Sequence, residues 1–82
     1  MLKLNVKTKS KPDEVVKKAL EFFGRSGLGL KVTEQNDTCA SFDGGGGSVS
    51  VVACTIGKGT SVDLESQEWD YQVKEFATKI KQ

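Results

Sequence analysis

Two cysteines, Cys39 and Cys54, and two glycine-rich stretches are the parts of this 82-residue chain whose residue types could do chemistry. Two thiols on one sheet face could form a redox pair. Metal binding is disfavoured, because the chain has no histidine and two thiols fall short of the four ligands of structural zinc. The plainer reading is a pair of small, half-buried strand residues. The run Gly44–Gly47 could bring backbone N–H groups to a phosphate, but it does not lead into a helix and no Lys-Ser/Thr follows it, so it is not a phosphate loop. It reads as a flexible hairpin loop. Gly57-Lys58-Gly59-Thr60 joins two expected strands and reads as a plain hairpin turn, its glycines supplying positive φ. Without histidine there is neither the commonest general base nor any Ser/His or Cys/His arrangement. The eleven carboxylates fall mostly on expected helix surfaces or in turns, Asp37 and Asp43 among the latter, and none is paired for acid–base work. No catalytic residue, cofactor or metal is assigned, and a non-enzymatic protein is expected.

The elements that position these residues are legible from periodicity. Leu2, Leu4 and Val6 alternate with Lys3, Asn5 and Lys7, the mark of a strand with one buried face. Ser10 is the expected cap of a first helix, with Pro12 in its first turn. Val15, Val16, Ala19, Leu20 and Phe23 form its apolar stripe, widened by Phe22, and Gly24 is the expected left-handed terminator. Arg25-Ser26-Gly27-Leu28-Gly29 reads as a loop. A second strand alternates from Leu30 and Val32 towards Gln35, with Asn36-Asp37 as a turn. The third and fourth strands, Thr38–Asp43 and Ser48–Ile56, form a hairpin at the sheet centre. They send Ala40, Phe42, Val49, Val51 and Ala53 to the core. If Gly44 pairs with Gly47, Cys39 faces Val52 and Cys54 lies diagonal to it; a slightly longer loop would place the two cysteines directly opposite. The fifth strand, Thr60–Glu65, buries Val62 and Leu64. Ser66 is the expected cap of a last helix whose stripe is Trp69, Val73, Phe76, Ala77 and Ile80. Tyr71, off that stripe, reads as a partly exposed packing residue. Glu14–Lys18, Asp70–Lys74 and Glu75–Lys79 have i,i+4 spacing.

The order β-α-β-β-β-β-α predicts a single α+β domain over 1–82, a two-layer sandwich. Its five-stranded antiparallel sheet carries both helices on one face. This order resembles the helix-grip or TATA-binding-protein-like fold in a compact, single-repeat form. The alternating first strand followed by Ser10-Lys11-Pro12-Asp13-Glu14-Val15-Val16 also resembles the start of the Bet v1/START-like superfamily. The chain departs from both: it lacks the extra strands and long loops of a full-size cavity, and the second repeat that grips DNA. The resemblance implies that the first and fifth strands are neighbours, so that Lys3 and Lys7 could face Asp63 and Glu65.

Charge is split along the chain. Residues 1–31 carry eight Lys/Arg against three Asp/Glu, and residues 32–82 four against eight. Complementation within one fold explains this, and a basic face for an anionic partner is the sharper alternative. Nucleic acid is disfavoured as a partner, because only Phe42 among the six aromatics falls on a strand and no row of stacking rings is formed. No apolar run approaches a membrane span, and the alternating N-terminus does not look like a signal peptide. A cytoplasmic protein with free thiols is expected.

Two functions fit. One is a small soluble binding or interaction domain, with a second copy or another protein as partner, contacting it through Cys39, Ser41, Ser50, Val52 and Cys54. The other is a miniature helix-grip pocket between the sheet and the last helix, with Phe42, Val51, Trp69 and Phe76 around a small apolar ligand.

Overall fold

Strict alternation in four of the five strands builds the sheet, and two apolar stripes roof one of its faces. The computed structural model describes residues 2–24 and 27–80. Arg25 and Ser26 of the expected loop, like Lys81 at the chain's end, lie outside them. The elements are β1 (Leu2–Thr8), α1 (Pro12–Phe23), β2 (Lys31–Gln35), β3 (Cys39–Gly44), β4 (Gly47–Ile56), β5 (Gly59–Gln67) and α2 (Asp70–Ile80). The sheet order is β1-β5-β4-β3-β2, antiparallel throughout. This is the expected α+β sandwich, with β1 beside β5 and β4 at the centre.

One core fills the space between sheet and helices. Phe42, Val49, Val51, Ala53, Val62 and Leu64 rise from the sheet to meet Val15, Val16, Ala19 and Phe23 of α1 and Val73, Phe76 and Ile80 of α2. Three aromatic rings lock the layers. Phe23, the last residue of α1, lies 5.5 Å from Phe42 below it and 5.2 Å from Phe76 beside it, centroid to centroid. Leu2, Leu4 and Val6 are only half buried, because β1 is an edge strand. Of the residues of β2, none is buried. Leu30 reaches the core just before that strand, whereas Val32 stays 37% exposed. The expected alternation breaks here because a bulge falls between Val32 and Glu34, which turns Glu34 onto the outer face beside Ser41.

Several local expectations are overridden by tertiary bonds. Ser10 does not cap α1: Lys11 is the capping residue and makes no side-chain cap bond. The Ser10 carbonyl instead accepts from Thr60 Oγ1 at 2.6 Å, and its N–H donates to Thr8 Oγ1 at 3.2 Å. Gly24 is not left-handed, with φ −78°. It is needed because a Cβ there would strike the Leu20 carbonyl, which accepts the Gly24 N–H. Ser66 ends up buried inside β5, yet its Oγ accepts from the Trp69 N–H at 3.2 Å, so it still serves the chain's entry into α2.

None of the three i,i+4 pairs closes to salt-bridge distance. Among the described residues the one ion pair is Lys3–Glu65, at 4.0 Å across β1 and β5. Asn5, not Lys7, faces Asp63, donating to it at 2.7 Å. Lys18 donates to Ser10 Oγ and Lys79 sits over the Phe22 ring, 4.9 Å from its centroid. Tyr71 is 74% exposed, more open than the partly exposed packing residue expected.

Candidate functional site

The glycine run is a structural seat. Pairing continues to Gly44↔Gly47, which leaves a two-residue turn. Gly45 and Gly46 have φ of +59° and +80°, the left-handed pair that a tight hairpin demands. The expected flexible loop is thus a closed turn. Its flanks are occupied by the β5–α2 connection. Trp69 lies just before α2 rather than on it, and its indole N–H donates to the Gly44 carbonyl at 2.9 Å. A Cβ on Gly45 would come within 2.7 Å of the indole ring. Glu68, with φ +69°, makes the sharp bend, and a Cβ on Gly47 would come within 2.7 Å of Glu68 Cβ. The signal for this was present: a two-residue turn needs positive φ at two positions, and the chain has four glycines there.

The four residues expected to surround a ligand are not arranged around a space. Phe42, Val51 and Phe76 are each buried to within 1% of full exclusion, in a core where Phe23 stands between Phe42 and Phe76. Trp69 is half buried at the hairpin tip. The apolar concavity of note lies elsewhere, in a cleft of about 270 Å³ between α1 and α2 lined by Lys18, Glu21, Phe22, Phe76, Lys79 and Ile80. Of the four, only Phe76 reaches it.

The five residues expected on the interaction surface do share one face. The strand registers place Lys3, Glu65, Ser50, Ser41 and Glu34 in one row across the sheet, and Asn5, Asp63, Val52 and Cys39 in the next. Along β4 the outward positions are Ser48, Ser50, Val52, Cys54 and Ile56. This central stripe is small and weakly polar, with charge on the strands either side. Both helices pack on the opposite face, against the inward residues, and the shortest dimension of the molecule, 16 Å, is one helix layer on one sheet. Among the described residues nothing covers the outer face: Val52 is 36% and Ile56 43% exposed.

Both thiols are free. Cys39 pairs with Val52, so Cys54 is its diagonal neighbour. Diagonal Cα atoms sit roughly 7–8 Å apart, beyond comfortable disulfide reach. Cys39 is half buried, and its Sγ–H donates to Glu34 Oε1 at 3.5 Å, whereas Cys54 is exposed. A thiol reagent added to the folded protein is expected to modify Cys54 about tenfold faster than Cys39, since exposure governs access. Mass spectrometry of peptides from a time course measures this, and equal rates would contradict the described face. Among the described residues no three His, Cys, Asp or Glu side chains gather closely enough to hold a metal, and no helix is long and apolar enough to cross a membrane.

No protein-family model matches the chain, and no curated protein is similar to it in sequence. In three dimensions it is similar to the Aha1 dimer of Colwellia psychrerythraea, known from a solution structure, with a TM-score of 0.58 and 14% sequence identity. The match covers 99% of this chain and 97% of that one. At this identity the likeness concerns the fold: the whole chain follows one α+β path with that protein.

Proposed function

We propose that this protein is a small non-enzymatic interaction domain of helix-grip type that self-associates through the bare face of its sheet. The observation that carries this reading is the central stripe, Ser50, Val52 and Cys54 on β4 with Cys39 and Ser41 on β3, which no element among the described residues covers. That the similar Aha1 is described as a dimer supports a second copy as the partner. Five strands about 4.8 Å apart make a face roughly 20 Å wide. Two such faces overlap by something on the order of 500 Å² per copy, the low end for a specific interface.

Native mass spectrometry of protein from its own host is expected to show a species at twice the 8.9 kDa chain mass. Sedimentation should show a monomer–dimer equilibrium. Val52→Lys places a charge in the middle of the stripe without touching the core. It is expected to weaken association at least tenfold with circular dichroism unchanged. A bare monomer at hundreds of micromolar would end this reading.

A small apolar ligand is the second reading, favoured by the cleft between the helices with Phe22 half exposed on its wall. A co-purifying small molecule in the same spectrum, on a monomeric chain, would decide for it.

A further inference from the structure

We infer that the two copies stack face to face about a two-fold axis running along β4, so that each outward residue of that strand meets its own counterpart. The inference rests on the self-association proposed above and adds its geometry. Two axes lying between the faces bring the central stripe onto itself, one along the strands and one across them at the level of Val52. The charge layout separates them. An axis across the strands leaves every strand over its own copy with its direction reversed. Lys3 then meets Lys7 of the second copy, and Asp63 meets Asp63, like charge on like. An axis along β4 keeps each row over itself and exchanges its ends. In the row Lys3-Glu65-Ser50-Ser41-Glu34, Lys3 of each copy then meets Glu34 of the other, opposite charge on opposite, while Glu65 meets Ser41.

Glu34 reaches this row only because of the bulge after Val32. Without it, Thr33 would hold that place and the row would end uncharged. Stacked sheets cross at about 30°, which displaces the outer strands by a few ångströms. Lys and Glu side chains are long enough to span that offset. Along the axis Ser50, Val52 and Cys54 of each copy come nearest to their own counterparts. Cys54 is therefore close to Cys54, while Cys39 lies over Asp63.

Two measurements on the full chain test this. The first uses a short bis-maleimide with single-thiol variants. With each yield taken relative to the labelling of the same thiol by a mono-maleimide, Cys39→Ser, which keeps Cys54, is expected to give a covalent dimer in several-fold higher yield than Cys54→Ser, which keeps Cys39. The second is charge exchange, read by sedimentation. Lys3→Glu and Glu34→Lys alone are each expected to raise the dimer dissociation constant roughly tenfold, and together to restore it to within about threefold of the parent. Lys3 and Glu65 are both well exposed, so Lys3→Glu leaves the fold intact, which circular dichroism verifies. A dimer by sedimentation that cross-links better through Cys39, or whose double variant is weaker than either single one, overturns the axis and leaves the proposed function standing. A monomer at every concentration overturns both.

Discussion

Phe23→Ala is expected to remove about 3–5 kcal/mol of folding stability, the usual cost of emptying a buried phenylalanine site. The size of the effect follows from where the ring sits. Phe23 is fully excluded from solvent and touches rings of both layers, Phe42 at 5.5 Å, Phe76 at 5.2 Å and Phe22 at 4.9 Å edge-on. It joins the end of α1 to the sheet and to α2 at once, so no single element can move in to fill the space. A domain of this length holds roughly 4–12 kcal/mol in all, at 0.05–0.15 kcal/mol per residue. The variant therefore sits close to the limit of folding, with a melting temperature lower by roughly 12 °C or more. Urea titration followed by circular dichroism measures the loss. Phe22→Ala is the comparison, since that ring is half exposed over the cleft and beneath Lys79; it is expected to cost less than half as much. A loss at Phe23 below about 1.5 kcal/mol, within the range of ordinary substitutions, would mean that the three rings do not form the joint described.

The same rings show what periodicity can and cannot convey. Ala40, Phe42, Val49, Val51 and Ala53 were legible as core because a pleated strand sends alternate residues to one face, and a register slip would expose all of them together. The pairing of Cys39 with Val52 was legible only on condition that Gly44 pairs with Gly47, a register that the two-residue turn fixes. The neighbouring of β1 and β5 came from the resemblance in element order, not from the residues of either strand. Trp69 was misplaced because its spacing to Val73 fits a helical stripe whether it is the helix's first member or lies one residue before it. What decides is the bend at Glu68 and the carbonyl of Gly44, some twenty-five residues away in sequence. Ser10 and Lys79 failed likewise. Their local partners were plausible, but Thr60 and the Phe22 ring, contacts made only on folding, won. The face proposed for self-association was legible as a row of small outward residues. Its charged end at Glu34 was not, since a bulge in an exposed edge strand leaves no mark in the hydrophobic pattern.

Gly47→Ala tests whether the glycine run is a seat for Trp69, and its expected cost is about 2–4 kcal/mol. A Cβ at that position meets the Gln67 carbonyl and approaches Glu68 Cβ to 2.7 Å. The nearest of these is backbone, so no side-chain rotation relieves the clash. Overpacking of this kind costs about 1–3 kcal/mol. Moving the bend also strains the Trp69 indole bond to Gly44, a further 0.5–1.5 kcal/mol or so. Gly46→Ala is the control, because its Cβ would enter open space. Only its φ of +80° is unfavourable there, at roughly 1–2 kcal/mol. The two variants are separated further by the chain's lone tryptophan. In Gly47→Ala its emission should shift to the red as the indole leaves its place against the hairpin, while in Gly46→Ala it should stay as in the parent. Melting curves and emission spectra together decide the matter. If Gly46→Ala is the more damaging of the two, the glycines serve the turn alone, and the packing of Trp69 on the tip is not what requires them.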